Sequence, residues 1–351
     1  MFLVPALAAL NDRWNRPLAT TGMRSLRLNA NWMLAVIGFA LVIGYRYQVG
    51  GDWGSYLAYV ERTVGLDLQE AITLGEPGYM LINWISARAG WGVYGVNLIC
   101  GLIFMLGLAV FCRTLPRPWL ALAVAVPYLL IVVAMGYSRQ GVAIGFVMLG
   151  LAALGRREWV WFVFTVILAA TFHRSALIML PIAALASTQN RVWIGVWVLI
   201  ASALAYQAML EESLDGYIKN YIEAEYQSQG ALIRGMMNLL PAAILLIWRR
   251  RFLLSTEEMT LWRLFALISV MLGVLIILAT ATTAVDRIGL YMLPLQLLVF
   301  SYLPDVFGRQ GRRNGGWVFA VLGYYGAVLF VWLNFAVHSD AWVPYRFYLL
   351  E

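Results

Sequence analysis

Long apolar segments, separated by short polar joints, are the feature that most constrains what this chain can fold into. The candidate segments are residues 30–45, 91–112, 119–136, 140–154, 158–172, 175–187, 192–210, 234–248, 262–283, 289–303 and 316–335. A run of about 20 apolar residues crosses a bilayer as a helix, because a helix satisfies its own backbone hydrogen bonds in lipid. The pattern predicts an all-α fold: a polytopic transmembrane helical bundle of about 11–12 spans, in a single integral membrane domain over residues 1–351.

The composition excludes a soluble domain. Hydrophobic residues make up 62% of the chain and charged residues only 12%, and the mean hydropathy is +0.76. An isoelectric point near 9.5 would suggest nucleic-acid binding in a soluble protein. Here the basic residues lie in short joints, where membrane orientation and anionic lipid headgroups explain them. Membrane lipids are therefore predicted partners, and nucleic acid is not.

The charges of the joints form two sets that alternate along the chain. One set holds 16 basic and five acidic residues, and the other holds nine basic and 13 acidic residues. Because short basic joints stay in the cytoplasm, the second set is predicted to face outward. One group of polar residues then lies at the outer surface: Arg46, Asp52, Glu76, Arg139, His173, Arg174, Asp286 and Arg287.

Two predicted outer segments, residues 46–90 and 211–233, are long enough to have structure of their own. Aromatic residues in the first have the spacing of amphipathic helices at the membrane interface, and Pro77, directly after Glu76, is predicted to begin one of them. The second combines carboxylates with tyrosines, which fits a sugar-stacking surface or an ordinary aromatic belt. Residues 1–10 are apolar but too short to span, so we expect a half-inserted or shortened first helix.

Three helices that are predicted to run inward from the outer surface begin with basic residues: Arg139, Arg174 and Arg287. A cation at a helix N-terminus is unfavourable by about 0.3–1 kcal/mol, because the macrodipole is positive there. The arrangement becomes favourable when one anion binds the free N–H groups and the guanidinium groups together. A lipid pyrophosphate is the obvious candidate. The alternative is that each arginine extends to the phosphates of surrounding lipids.

Two residues of the outer group are candidates for a general base. Asp52 follows a glycine-rich stretch that lets the backbone approach a ligand, and its carboxylate can take a proton from a sugar hydroxyl; alternatively, it stabilises a turn. His173 can act as a base or donate to phosphate, or it can be a structural residue at the membrane edge. No metal or other cofactor is predicted, since His338 is the only other histidine and no cysteine lies near the outer face.

Several short motifs, taken in order, resemble the EpsG family of polytopic proteins from bacterial exopolysaccharide loci, which are regarded as Wzy-type polymerases. The motifs are Arg46…Gly51-Asp52…Tyr56, Glu76-Pro77-Gly78-Tyr79, Arg139-Gln140-Gly141, His173-Arg174-Ser175-Ala176 and Asp286-Arg287…Tyr291. The resemblance covers about residues 30–303 and rests on the order and spacing of the motifs. It implies a fold like that of GT-C membrane glycosyltransferases, in the bacterial inner membrane, with the site facing the periplasm.

The resemblance also implies a metal-independent glycosyl transfer. A glycan chain on undecaprenyl pyrophosphate would move onto a lipid-linked repeat unit, so lipid-linked oligosaccharides are the expected donor and acceptor. A chain-length regulator is a further expected partner. Asp52 and His173 are the catalytic candidates. The expected substrate- and pyrophosphate-binding residues are Arg46, Glu76, Arg139, Gln140, Arg174, Asp286, Arg287 and Tyr291.

Two other functions stay open at this point. An O-antigen ligase-like transferase would use the same chemistry with a different acceptor. A transporter or flippase for a lipid-linked sugar would be favoured by charges in mid-span and by internal repeats, and neither is clear in this sequence. The sequence also leaves the sugar, its linkage and its stereochemistry open.

Overall fold

The computed structural model describes residues 1–12, 28–186, 196, 230–278 and 282–351. Within these residues the regular structure is helical, apart from an isolated β-bridge between Arg46 and Phe347. This confirms the predicted all-α fold. The α-helices are α1 (Leu3–Leu10), α2 (Ala30–Gly44), α3 (Trp53–Thr63), α4 (Leu68–Ile72), α5 (Pro77–Arg88), α6 (Gly92–Thr114), α7 (Pro118–Ala125), α8 (Ser138–Leu154), α9 (Trp159–Ala170), α10 (Met179–Ala186), α11 (Ala231–Trp248), α12 (Thr256–Leu278), α13 (Thr283–Leu290), α14 (Pro294–Phe307) and α15 (Gly315–Phe335).

Five described helical segments are long and apolar enough to cross a membrane: Gly92–Thr114, Leu232–Arg251, Thr256–Leu278, Gly315–Phe335, and Val285–Phe307, which includes most of α13 and all of α14. Four shorter helices are also apolar: Ala30–Gly44, Pro118–Ala134, Ser138–Leu154 and Trp159–Ala170. The chain is therefore a polytopic helical membrane protein. The count of 11–12 spans stays a prediction, because residues 192–210, apart from Val196, lie outside the described residues.

The predicted span 119–136 is not a uniform α-helix. After α7 ends at Ala125, the chain continues as a π-helix over Val126–Ala134. Pro127 lies at this junction. Its ring lacks an N–H and, in an α-helix, would clash with the carbonyl group four residues earlier. The wider π turn accommodates the ring and keeps the segment continuous.

Two other predicted spans differ from the structure at their starts. The span predicted at 175–187 opens with a 3-10 turn over Arg174–Ile178, and α10 begins only at Met179. The span predicted at 289–303 is divided by a turn between Leu290 and Pro294. Proline has no N–H to donate and is favoured as the first residue of a helix, which explains the new start. Hydropathy registers neither interruption, because both segments are largely apolar.

A close helix pair lies in the interior of the bundle, where α6 packs against α8. Gly107 and Gly145 face each other, and a Cβ atom at Gly107 would collide with the backbone of Gly145. Small residues let membrane helices approach closely and gain van der Waals contact. Most of α8 is buried in this packing. Its first residues, Ser138 and Arg139, are therefore presented by a rigid element.

The short connections alternate between two ends of the bundle. The Asp52 end comprises residues 45–92, the starts of α8, α11 and α13, the connection from α9 to α10, and residues 336–351. The Arg117 end comprises the connections α6–α7, α8–α9, α11–α12 and α14–α15. Five ion pairs between described residues each join residues of one end: Arg117–Asp305, Arg156–Glu158 and Arg157–Glu257 at the Arg117 end, and Arg139–Glu76 and Arg234–Asp286 at the Asp52 end. The two charge sets inferred from the sequence thus correspond to two ends of the structure.

Residues 46–90, the first predicted outer segment, form amphipathic helices, as the sequence predicts. In α3 the buried residues Tyr56, Val60 and Thr63 lie on one face at helical spacing. Pro77 is the first residue of α5, and Glu76 is its N-cap residue.

The remaining terminal and loop predictions have mixed outcomes. Residues 1–10 contain the short helix α1, of 8 residues, in agreement with a shortened first helix. The second long outer segment, 211–233, lies outside the described residues except for residues 230–233, so its sugar-stacking surface stays a prediction.

Candidate functional site

Asp52 lies at the end of a tightly held loop. Gly50 has a φ of +103°, which favours glycine, and a Cβ atom there would collide with the carbonyl oxygen of Met135. The Gly50 N–H donates to the carbonyl group of Ala341 at 2.8 Å, which ties the loop to the C-terminal segment. Asp52 lies two residues after Gly50 and is exposed. Its side chain makes no cap hydrogen bond to α3, so the carboxylate is available for another role than stabilising the turn.

Arg46 anchors the same loop from inside the protein. Its side chain is fully buried. The guanidinium group donates to the carbonyl groups of Ile43 and Val49, to Asn97 Oδ1 at 2.9 Å and to Ser138 Oγ at 2.8 Å. The structure therefore places Arg46 beneath the surface, where it joins the loop to α6 and to the first residue of α8. This position differs from the substrate contact that the sequence predicts for it.

Arg139, the second residue of α8, is paired with a carboxylate. Its Nη1 donates to Glu76 Oε2 at 2.7 Å, and no other described residue accepts a hydrogen bond from the guanidinium group. The guanidinium carbon lies 5.2 Å from the ring centre of Tyr59 and 6.0 Å from that of Tyr79, within cation–π range. The anion expected at this helix start is thus supplied in part by Glu76. The other N–H groups of Arg139 remain open to a second anion.

Tyr56 fixes the start of α8 next to this pair. Its hydroxyl accepts a hydrogen bond from the Ser138 N–H at 2.9 Å and donates to the carbonyl group of Gly136 at 3.2 Å. A buried helix start needs such partners, because its first N–H groups have none within the helix. The position of Arg139 is therefore determined by α3 as well as by α8.

The charge environment of Asp52 is set by two arginines. Displacement of water by the surrounding protein raises the pKa of Asp52 above its ordinary value, and the positive charges of Arg139 and Arg287 counteract that rise. Both guanidinium groups therefore act on this carboxylate. A carboxylate whose pKa is raised accepts a proton more readily than an ordinary aspartate.

His173 is the end of a hydrogen-bonded chain of side chains. It lies half-buried between α9 and the 3-10 turn Arg174–Ile178. Its Nδ1 is 2.6 Å from Ser175 Oγ, and Ser175 Oγ is 3.0 Å from the Tyr291 hydroxyl. The chain joins His173 to the interior of the bundle, because Tyr291 is fully buried.

The charges that act on His173 show that it belongs with Asp52. Burial lowers the pKa of His173 to about 4; Glu76 opposes this change, whereas Arg287 and Arg139 add to it. The imidazole is therefore neutral at pH 7. Arg139 and Arg287 are also the two cations that act on Asp52. The carboxylate and the imidazole thus share one polar cluster.

Asp286 lies in the first turn of α13, and Arg287 follows it in the last turn of this short helix. Arg234 of α11 binds Asp286 through two hydrogen bonds, Nε to Oδ1 and Nη2 to Oδ2, each 2.7 Å long. The carbonyl group of Arg287 accepts a hydrogen bond from Gln140 Nε2 at 2.7 Å. Gln140 therefore links the start of α8 to α13, and the Arg234–Asp286 pair links α13 to α11.

The structure gathers part of the predicted set into one site, here named the Asp52 cluster: Asp52, Glu76, Arg139, His173, Arg287 and Tyr291. Arg46, Gln140 and Asp286 support this cluster from beneath or beside it. Arg174 is the first residue of the 3-10 turn that follows His173. Its predicted contact with pyrophosphate stays a prediction.

Two residues of the site were not recognised as such in the sequence. Ser175 belongs to one of the motifs, but only the structure shows that it connects His173 to Tyr291. Arg234 lies in the first turns of α11 at the Asp52 end. It therefore carries the same signal as Arg139, a cation near the start of a helix that begins at the Asp52 end. The signal was present in the sequence, although nothing there identifies Asp286 as its partner.

At the opposite end of α8, charged side chains pair with one another beside a cavity. A cavity of about 430 Å³ opens at the Arg117 end, and its charged lining residues include Arg156, Arg157, Glu158 and Glu257. These form pairs with one another, Arg156–Glu158 at 2.6 Å and Arg157–Glu257 at 3.1 Å. Among the described residues, no group of three or more His, Cys, Asp or Glu side chains is arranged to hold a metal ion.

Comparison with known families gives a match over nearly the whole chain. The sequence model described as the EpsG family matches residues 29–347. No curated protein and no solved structure matches the chain. The predicted likeness to GT-C glycosyltransferases therefore stays a prediction. The family match includes every residue of the Asp52 cluster and the C-terminal segment that holds the loop before Asp52.

Proposed function

Because this chain belongs to the EpsG family, we propose that it extends an exopolysaccharide chain. Family membership and the apolar helices indicate a multi-pass membrane protein of the polysaccharide polymerase type. In the proposed reaction, a growing glycan chain moves from undecaprenyl pyrophosphate onto the non-reducing end of a lipid-linked repeat unit. The transfer takes place at the periplasmic face of the bacterial inner membrane.

The reaction forms one glycosidic bond and breaks one sugar–phosphate bond. A hydroxyl oxygen of the acceptor sugar attacks the anomeric carbon of the donor, while the bond from that carbon to the pyrophosphate oxygen breaks. Asp52 accepts the proton of the hydroxyl group. The leaving lipid pyrophosphate carries the negative charge, which Arg139 and Arg287 stabilise. The sugar–phosphate bond of the donor supplies the free energy, so no nucleotide is consumed.

The observation that carries this proposal is an available carboxylate under the influence of two guanidinium groups. Asp52 makes no cap hydrogen bond, and Arg139 and Arg287 both lower its pKa against the effect of burial. Glycosyl transfer from a lipid pyrophosphate needs a base for the hydroxyl group of the acceptor and cations for the pyrophosphate that leaves the donor. The Asp52 cluster contains both kinds of group in one place.

Glu76 and Tyr59 prepare Arg139 for this role. The ion pair at 2.7 Å and the ring at 5.2 Å restrain the guanidinium group before a substrate arrives. A restrained side chain loses less conformational entropy on binding, and a planar guanidinium group can bind two phosphate oxygens at once. Glu76 is thus proposed to position Arg139 and not to contact the substrate itself.

The charge asymmetry supports the proposed orientation. The connections of the Arg117 end contain runs of basic residues such as Arg249–Arg251, whereas the Asp52 end is acidic on balance. Short basic connections stay in the cytoplasm. The Asp52 cluster is therefore proposed to face the periplasm, where lipid-linked repeat units would reach it.

An elongation assay in detergent tests the proposal. Purified protein receives lipid-linked repeat units with EDTA and without nucleotide, and the products are separated by length. We expect longer chains in the wild type and elongation that is about 100- to 1,000-fold slower in Arg139→Ala. A ligase would elongate nothing until a different acceptor is supplied. A transporter would move the lipid-linked sugar across sealed vesicles and would elongate nothing in detergent; either result would overturn the polymerase assignment.

A further inference from the structure

The hydrogen-bonded chain behind His173 restricts where that imidazole can carry its proton. The Tyr291 hydroxyl is 3.0 Å from Ser175 Oγ, which is 2.6 Å from His173 Nδ1. We infer that Tyr291 and Ser175 hold His173 in the tautomer that is protonated on Nε2. The ring nitrogen that is not bound to Ser175 is then a hydrogen-bond donor and not a proton acceptor.

Counting protons along the chain of side chains decides among the possible directions of its hydrogen bonds. Tyr291 is fully buried, and the Ser175 hydroxyl is its one hydrogen-bond partner among the described residues. If Tyr291 donates to Ser175, then Ser175 donates to His173 Nδ1, and each buried proton has an acceptor. In the reverse direction the phenol proton of Tyr291 has no acceptor in the described part of the chain. If Tyr291 and His173 Nδ1–H both donate to Ser175 Oγ, the Ser175 proton has no acceptor there either. Leaving a buried donor unsatisfied is unfavourable, so the first direction dominates.

The neutral state of the imidazole is a condition for this argument, and the surroundings favour it. Burial lowers the pKa of His173 to about 4. The charged groups that act on the ring are Glu76 from the start of α5, Arg139 from α8 and Arg287 from α13, and the two cations outweigh the carboxylate in number. The ring therefore carries a single N–H proton at neutral pH, which lies either on Nδ1 or on Nε2.

The tautomer of His173 assigns separate roles to the two catalytic candidates; this step rests on the proposed function. An Nε2–H group can donate to a phosphate oxygen of the leaving pyrophosphate, but it cannot take a proton from the acceptor hydroxyl. Of the two catalytic candidates, Asp52 is then the base, and His173 adds a third donor beside Arg139 and Arg287. Tyr291 and Ser175 are positioning residues, because they act through His173.

Nitrogen-15 NMR of the histidine ring tests the tautomer directly and without substrate. The chain has 2 histidines, so the variant His338→Gln leaves His173 as the single labelled ring. We expect an unprotonated Nδ1 and a protonated Nε2. In Tyr291→Phe the phenol proton is gone, and a mixture of both tautomers should appear. Tyr325→Phe is the matched control, because Tyr325 is also fully buried and donates one hydrogen bond, to Gln296 at 2.8 Å; it should leave the His173 spectrum unchanged.

Two results would overturn the inference: a wild-type ring protonated on Nδ1, or an Nε2–H tautomer that stays pure in Tyr291→Phe. Ser175→Ala gives the second measurement in case Tyr291→Phe does not fold, with the same two outcomes. Because no substrate is present, failure here is distinct from failure of the polymerase assignment.

A kinetic comparison tests the donor role separately. The amide nitrogen of glutamine can replace an Nε2–H donor but cannot act as a base. We expect His173→Gln to keep elongation within about tenfold of the wild type, and His173→Phe to lose about 100-fold, the usual effect of removing one donor to a developing anion. Equal losses in the two variants would contradict a donor role.

Discussion

The two ends of the bundle contain the same pair of groups, an arginine and a carboxylate, with different degrees of hydrogen bonding. Arg117 donates five hydrogen bonds, to Asp305 and to backbone carbonyl groups of the N-terminal segment and of the connection before α15. Its side chain is 0% exposed. Arg139 donates one hydrogen bond, to Glu76, and its side chain is 29% exposed. A guanidinium group that uses all its donors inside the protein stabilises the fold, whereas one with unused donors at the surface can bind a ligand.

Location along the chain does not distinguish these two arginines. Both lie at the junction between a polar joint and an apolar helix, and both have a carboxylate partner far away in the sequence. The difference arises from the backbone around them. At the Arg117 end, three carbonyl groups converge on the guanidinium group. At the Asp52 end, the neighbours of Arg139 are the rings of Tyr59 and Tyr79, which accept no conventional hydrogen bond.

The largest effect is expected for Arg117→Ala. The substitution leaves Asp305 without its arginine inside the protein, so we expect the free energy of unfolding to fall by about 3–5 kcal/mol. The matched control is Arg157→Ala, which breaks an ion pair of the same end whose side chains are 68% and 32% exposed; it should cost no more than about 1 kcal/mol. Thermal unfolding of the purified variants in detergent measures both. Equal losses of unfolding free energy in the two variants would contradict a structural role for the buried Arg117.

Arg139→Ala is expected to reduce activity strongly and stability little. Elongation should slow by about 100- to 1,000-fold, because a cation that stabilises the leaving pyrophosphate is lost. Stability should change by no more than about 1 kcal/mol, because the pair is partly exposed. Arg139→Lys should restore little activity, since lysine cannot bind two phosphate oxygens at once.

Arg88→Ala is the control for this substitution. Arg88 is exposed at the same end and lies 4.6 Å from the ring centre of Trp84, outside the Asp52 cluster. Its removal should leave elongation near the wild-type rate. If Arg139→Ala and Arg88→Ala elongate equally well, Arg139 has no part in catalysis, and the lipid-phosphate interpretation of its charge is correct.

The smallest expected effect is a change in the pH dependence of elongation. Asp52 must be ionised to accept a proton, so the rate should fall as the pH drops through its raised pKa, above the ordinary value of about 3.9. Arg287 lowers the pKa of Asp52, and Arg287→Gln should therefore move the acidic limb of the pH–rate profile to higher pH. The profiles are best recorded in a His173→Gln background, because the pKa of His173, about 4, lies close by. A limb that stays in place or moves to lower pH would show that Arg287 does not act on Asp52.

Local patterns in the sequence were sufficient to predict which residues share an end of the bundle. The sign of each polar joint reflects how the neighbouring helices insert, and the motif Glu76-Pro77 marks a helix start by the chemistry of proline alone. Five predicted site residues therefore lie in one cluster together with Tyr291: Asp52, Glu76, Arg139, His173 and Arg287.

The choice of partners could not be predicted, because it depends on packing between distant segments. Glu76 and Arg139 are 63 residues apart, and Arg234 and Asp286 are 52 apart. The partners of Arg46 could not be predicted either. Its charge and its place next to a span resemble those of a surface arginine, but acceptors from α6 and α8 bury it completely.

The central claim, that chemistry takes place at the Asp52 end with Asp52 as the base, is tested most directly by Asp52→Asn beside Asp340→Asn. Asp340 is an exposed aspartate of the same end, next to the residue whose carbonyl group binds Gly50. We predict that Asp52→Asn lowers the turnover number by at least about 100-fold and leaves the affinity for the lipid-linked donor near that of the wild type, because the amide keeps the size of the carboxylate but cannot accept the proton. Asp340→Asn should match the wild type in both. Equal turnover numbers in the two variants would contradict the account.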